Sequence, residues 1–168
     1  MTLNKEMFKK HVVIFDIDGT ISDPGNRLHY IAKEKDSGHR DWKAFFESSI
    51  DDPVQYHVAI LARVLYLSGF HVVFATARPE EYRHITEEWF TKHGIYYDHL
   101  LMRPTEDRRI DTIVKREMVL TFLAEANISK DSVLGIFEDR LPVCEIWVEE
   151  GFPVFVCGTD WIKGDWSK

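Results

Sequence analysis

The segment Val12-Val13-Ile14-Phe15-Asp16-Ile17-Asp18-Gly19-Thr20 constrains this chain more than any other. An apolar, β-branched run stops abruptly at two aspartates separated by one residue, followed by a glycine and a hydroxyl. A run apolar on both faces reads as a strand buried inside a parallel sheet. Its carboxyl end is the edge at which open α/β sheets bind ligands. Side chains alternate along a strand, but if the chain leaves the strand just after Asp16, the carboxylates of Asp16 and Asp18 can converge. Two carboxylates gathered there are costly unless a cation or a proton compensates them.

The rest of the chain alternates strand and helix patterns. A polar, turn-rich stretch runs from Ser22 to about Asp52 and holds a short aromatic helix, Asp41 to Phe46, with Asp41 as its N-cap. Asp51-Asp52-Pro53 opens a helix that Gly69 closes. Phe70–Ala75 forms a second strand ending in Thr76-Ala77-Arg78-Pro79. Pro79 and Glu80-Glu81 begin a helix running to Gly94. A short third strand covers His99–Met102, and a helix runs from Asp111 to about Ala126. Ser132–Phe137 forms a fourth strand ending in Glu138-Asp139. A helix from Pro142 to Glu150 and a strand Pro153–Val156 complete the pattern. This alternation predicts a three-layer, Rossmann-like, doubly wound parallel sheet with right-handed crossovers. Residues 1–168 read as one domain, with 21–53 as a small cap inserted after the first strand.

Composition narrows the function. At 168 residues and 45% hydrophobic, the chain can bury a full core. The net charge of −7 argues against a long nucleic-acid footprint, but not against holding one terminal phosphate. No apolar run is long enough to span a bilayer, and the expected location is cytoplasmic. Cys144 and Cys157 read as reduced thiols, and no Cys/His spacing suggests zinc.

The strand ends supply the chemistry. Asp16 and Asp18, Thr76, and Glu138 with Asp139 all fall at one sheet edge, and Lys115 lies in the first turns of a neighbouring helix. Hard oxygen ligands without imidazole suit Mg²⁺. Lys115, the Thr76 hydroxyl and backbone amides around Asp18 and Ala77 could hold phosphoryl oxygens. A response-regulator receiver combines similar groups, but there the acidic pair ends the first strand and the phosphoacceptor ends the third. Here the third strand ends in Met102-Arg103.

Asp16-Ile17-Asp18-Gly19-Thr20, Thr76, Lys115 and Glu138-Asp139 resemble, in order, the four motifs of the haloacid dehalogenase (HAD) superfamily of phosphotransferases. The resemblance implies that Asp16 is the nucleophile and forms an aspartyl phosphate. It makes Asp18 the general acid and base, and Thr76 and Lys115 the groups that stabilise phosphoryl oxygens. It assigns Mg²⁺ to Asp16, the Asp18 backbone carbonyl and Asp139, with Glu138 ordering Lys115 or the water around the metal. The run Asp107 to Glu117, Glu138-Asp139-Arg140 and the Glu145–Trp147 helix look like the 3′-phosphatase domain of bacteriophage polynucleotide kinase. That domain carries arginines where Arg27 and Arg78 stand, and an aspartate where Asp111 stands. These three, with Ala77, are the expected substrate-binding residues, and the implied substrate is a 3′-phosphate on a nucleotide or nucleic-acid end. Other esters, as for a 5′(3′)-nucleotidase or a promiscuous small-molecule phosphatase, are the alternative. The acidic pair departs from that domain in being Glu-Asp. No G-x-x-x-x-G-K-[ST] phosphate loop is present, so no kinase module is expected in this sequence, and a separate kinase or ligase is a candidate partner.

Some residues keep two readings. Asp111 could simply begin its helix, and Arg27 or Arg78 could be salt-bridge partners. Arg103, Arg108 and Arg109 form a basic clump that could meet phosphate or only water. Trp42, Phe45 and Phe46 could stack a base or pack the cap onto the body.

Overall fold

A computed structural model describes residues 11–32 and 40–158. Both ends of the expected domain, 1–10 and 159–168, and residues 33–39 of the expected cap lie outside the described residues. Five strands form one parallel sheet: β1 (Val12–Phe15), β2 (His71–Pro79), β3 (His99–Arg103), β4 (Val133–Glu138) and β5 (Val154–Val156), in the order β3-β2-β1-β4-β5. The first strand is therefore central, and its four residues are all buried. This matches the expected doubly wound α/β fold.

The helices are α1 (Trp42–Glu47), α2 (Tyr56–Ser68), α3 (Arg83–His93), α4 (Asp111–Glu125) and α5 (Leu141–Glu149). Helices α2 and α3 pack Val58, Ala62, Trp89 and Phe90 against Val13, Phe15, Val72 and Phe74 on one face of the sheet. On the other face α4 and α5 bury Val119, Leu123, Val143 and Trp147 against Val12, Ile14, Val73 and Ile136. At one register Phe74, Phe15, Phe137 and Phe155 line up across four strands, with adjacent ring centroids 4.6 to 5.6 Å apart. Gly135 lets this row form, because a Cβ there would lie 2.4 Å from the Phe155 ring.

Two boundaries differ from the sequence expectation. Helix α2 begins at Tyr56 rather than at Pro53. Val54 instead bridges Ser22, the Pro53 carbonyl accepts from the Asp23 amide, and the Gln55 amide donates to Ile21. A proline and a β-branched residue are better spent on this short antiparallel return than in a helix. Strand β2 runs on through Thr76 to Pro79, its pairing with β3 shifting register between Thr76 and Pro79. A 3-10 turn at Glu80–Tyr82 then precedes α3. Between β1 and α2 the described cap consists of 3-10 turns at Gly25–Tyr30 and Ser48–Asp51 and the short helix α1.

Candidate active site

Asp16 continues β1 by donating its amide to the Phe137 carbonyl at 2.9 Å. The chain then turns tightly: the Ile17 carbonyl accepts from the amides of Thr20, Ile21 and Ser22. Ile17 and Ile21 are fully buried and anchor this turn. Gly19 sits at φ +92°, a conformation that penalises a Cβ. A Cβ there would also lie 2.1 Å from Asp139 Oδ2. The glycine is thus required twice, once by its backbone and once by the carboxylate lying against it.

The turn separates the two aspartates of the motif. Asp16 Oδ1 accepts from Lys115 Nζ at 2.6 Å, and the same ammonium donates to Glu138 Oε2 at 2.8 Å. All three side chains are buried. Glu138 Oε1 in turn accepts from the Arg140 amide. Asp16, Glu138 and Asp139 each offer an oxygen, and these oxygens lie within 4.8 Å of one another. Burial, together with Glu138, pushes the Asp16 carboxyl up to about 7, against the pull of Lys115. Burial, Asp16 and Glu138 push Asp139 up to about 9. Burial opposes the Lys115 ammonium, but Asp16 and Glu138 outweigh it and raise its pKa. One ammonium does not neutralise three carboxylates, and the buried Asp139 Oδ1 has no hydrogen-bond partner among the described residues. An unpartnered buried carboxylate oxygen beside two more carboxylates fits a hard divalent ion.

Asp18 belongs to a second cluster, on the cap side. Arg78 grips it in fork fashion, Nε to Oδ2 at 2.9 Å and Nη2 to Oδ1 at 2.6 Å. Arg27 Nη2 also donates to Oδ1. Behind them lies Asp52, which accepts from Arg27 Nε and Nη2 and more distantly from Arg78 Nη2. Arg27 further reaches the Phe45 carbonyl, and Arg78 reaches Ser49 and Thr86. Two guanidiniums and two carboxylates balance, which buried charges require. Burial works against an ionised Asp18, but Arg78 and Arg27 hold its carboxyl far below the usual range. Burial pushes Asp52 up, with Arg27 opposing.

Three residues expected to bind substrate, Arg27, Arg78 and Asp111, are held by partners within the protein. Arg27 and Arg78 are only 2% and 1% exposed, and their donors are turned onto Asp18 and Asp52. Asp111 is paired with Arg103 and Arg140. It lies in the first turn of α4 without capping it. Buried guanidiniums take carboxylate partners from across the fold, and no local spacing reveals which.

Thr76 is buried within the last pairings of β2, where its Oγ1 accepts from the Arg78 amide at 3.2 Å. The Ala77 carbonyl accepts from Arg103 Nε. Arg103 also holds the Asp107 and Arg109 carbonyls, so it is structural, whereas Arg109 pairs with Asp107 and Glu117. Asp52 escaped the sequence reading because Asp51-Asp52-Pro53 looked like a helix start. Its signal was tertiary: a buried carboxylate whose own carbonyl also accepts from Trp89 Nε1 at 2.8 Å.

Comparisons with known proteins show the family and the fold. Residues 10–160 match the family model of the polynucleotide kinase PNKP phosphatase domain. The chain belongs to that family. It is a phosphatase of the HAD superfamily. Among solved structures, a chain of a Pnkp1/Rnl/Hen1 complex superposes with a TM-score of 0.69 at 30% identity, over 88% of this chain and 45% of that one. The chain therefore spans less than half of that relative. A Putative Phosphatase from Clostridium difficile shares the fold at TM-score 0.63 and 18% identity, over 87% and 84% of the two chains. CbbY from Rhodobacter sphaeroides, in complex with phosphate, shares it at TM-score 0.68 and 12% identity, over 94% and 90%. A comparison with curated protein sequences finds no match. Among the described residues no helix is long and apolar enough to cross a membrane.

Proposed function

We propose that this PNKP-type phosphatase is a Mg²⁺-dependent phosphomonoesterase that works through an aspartyl phosphate on Asp16 and removes 3′-phosphates from nucleic-acid ends or nucleotides. One observation carries the reading. Among the described residues, Asp16, Glu138 and Asp139 converge with Lys115 between them and a buried Asp139 oxygen is left unpaired.

Asp16 and Asp139 would hold the ion, with the Asp18 backbone carbonyl beside them. When bound, Mg²⁺ offsets the charge of the carboxylates and of the phosphate and draws electron density from the phosphoryl oxygens. Asp16 attacks phosphorus as the bond to the leaving oxygen breaks, giving an acyl phosphate and an alcohol. Water then cleaves the acyl phosphate, releasing inorganic phosphate and restoring Asp16. Lys115, already on Asp16, is placed to meet the phosphoryl charge, as is the Thr76 hydroxyl. Glu138 orients Lys115.

Asp18, when it enters protonated against the hold of Arg27 and Arg78, gives the leaving oxygen its proton, and as the carboxylate it takes one from the attacking water. Arg27 and Arg78 bias it toward the carboxylate, which suits the second of these steps. Asp52 fixes the arginines. The relative in the complex with Rnl and Hen1 supports a setting in which this chain works beside a separate kinase or ligase.

The test is hydrolysis of a 3′-phosphorylated oligonucleotide, 3′- and 5′-mononucleotides and sugar phosphates, with and without Mg²⁺. The expected result is Mg²⁺-dependent turnover with the highest kcat/KM on the 3′-phosphorylated nucleic-acid or nucleotide substrates, abolished by Asp16→Asn. Residual Mg²⁺-dependent turnover in Asp16→Asn sinks the nucleophile assignment. A preference for sugar phosphates sinks the substrate assignment.

A further inference from the structure

Helix α2 carries an outer face that neither the core nor the chemistry above uses. From Tyr56 to Ser68 only His57, Arg63 and Ser68 interrupt an apolar run. Val58, Ala59 and Ala62 are buried in the core beneath the helix. Tyr56, Ile60, Val64 and Leu67 are 73%, 59%, 52% and 56% exposed, and Leu61 borders them at 37%. Spaced by four, four and three residues, these four fall within about 80° of one side of the helix. No other helix or strand among the described residues exposes more than two large apolar side chains. A helix apolar on all sides is ordinarily covered on all sides.

The charges around this stripe point to what covers it. The protein carries a net charge of −7, yet no Asp or Glu occurs between Pro53 and Pro79. Arg63, on the border of the stripe, is turned away onto the His93 and Gly94 carbonyls at the end of α3, at 3.0 to 3.2 Å. Two copies of an acidic chain repel where their acids meet, and α2 brings none to the contact. The stripe is also self-complementary. Reversed about a two-fold axis, it sets Ile60 against the partner's Val64 and Tyr56 against the partner's Leu67, the isologous arrangement of a symmetric dimer. It opens on the order of 400 Å² per copy, the size at which apolar patches mark contact sites. Two stripes with their borders reach the roughly 1,000 Å² total that a specific interface needs.

We infer that the outer face of α2 is a docking surface for a second copy of this chain, the two α2 helices packing antiparallel through Tyr56, Ile60, Val64 and Leu67. Taking the stripe out of water drives the association. The surface does not rest on the proposed function, and no side chain assigned to the chemistry comes from α2.

The experiment is sedimentation velocity on the full chain across a wide range of concentration, for the parent protein, Ile60→Glu and Val64→Glu. The parent is expected to pass reversibly from monomer to dimer as its concentration rises. Either glutamate faces the partner's stripe and is expected to raise the dimer dissociation constant by about 30-fold or more, with kcat and KM on p-nitrophenyl phosphate unchanged. Oxidising a mixture of Ile60→Cys and Val64→Cys proteins with diamide is expected to give a disulfide-linked dimer of the two. The parent, with its own Cys144 and Cys157, is the control and should give none. A parent that stays monomeric at every concentration overturns the second copy as the occupant, whether another segment of the chain or a different protein covers the stripe. A dimer that both glutamate variants keep, or that the mixed cysteines fail to link, puts the contact elsewhere and overturns this surface.

Discussion

At the scale of single residues, the site depends on a few side chains that each meet two demands. Gly19 needs both its positive φ and the space Asp139 takes. Gly19→Ala should cost about 1–2 kcal/mol of stability from backbone strain. It should also lower kcat by about 100-fold through a displaced Asp139, with denaturant melts and steady-state kinetics as the readouts. A stable, fully active variant would remove Gly19 from the argument. Asp52 joins the two arginines that hold Asp18. Removing one carboxylate from such a buried set costs about 3–5 kcal/mol, so Asp52→Ala should be strongly destabilised in urea. The milder Asp52→Asn should fold and shift the pH–rate profile by altering how firmly the arginines grip Asp18. A profile identical to the parent's would show that Asp52 does not act through Asp18.

At the scale of elements, a narrow base and a buried indole are among the contacts that join the cap to the body. The base is the Ser22–Val54 bridge with the flanking Asp23–Pro53 and Ile21–Gln55 hydrogen bonds. The indole is Trp89 of α3, fully buried, whose Nε1–H reaches the Asp52 carbonyl. Trp89→Phe keeps an aromatic ring but drops that hydrogen bond and some volume, costing about 1–3 kcal/mol. Kinetics should show a lower kcat, because the Asp52 backbone is what the indole holds. A variant less stable but catalytically unchanged would separate the helix from the site. The periodicity of the chain made most of these elements legible. It misplaced the start of α2 because Pro53 serves equally well in a helix's first turn and at the end of a β-bridge, and only the partner, Ser22, decides between them.

Across the whole molecule, stability should report the charge gathered at the sheet edge. Asp16 and Asp139 have folded-state pKa values of about 7 and about 9, against 3.8 for the ordinary side chain. The metal-free fold therefore binds protons that the unfolded chain gives up. Between pH 4 and 9 the stability this lends is lost as the pH rises through the folded values. Asp18, held low, behaves oppositely, but its loss falls in strong acid, below this window. The melting temperature of metal-free protein should thus fall by several degrees from pH 5 to 9, and Mg²⁺ should recover it most at the alkaline end. A melting temperature flat with pH, or a Mg²⁺ effect independent of pH, would count against an ion at these carboxylates. Asp139→Asn should flatten both responses.

The amino-acid order by itself determined the alternation of strands and helices, the sheet edge on which the chemistry falls, and the acids, hydroxyl and ammonium available there. Those follow from local patterning and from side chains whose strand positions leave few other places to go. Only the tertiary structure decided how the charges are shared. It gave Lys115 to Asp16 and Glu138, turned Asp18 toward Arg27 and Arg78, and brought Asp52 behind them. The reason is electrostatic: a buried charge is stable only with partners a few ångströms away, and those partners come from segments far apart in the chain.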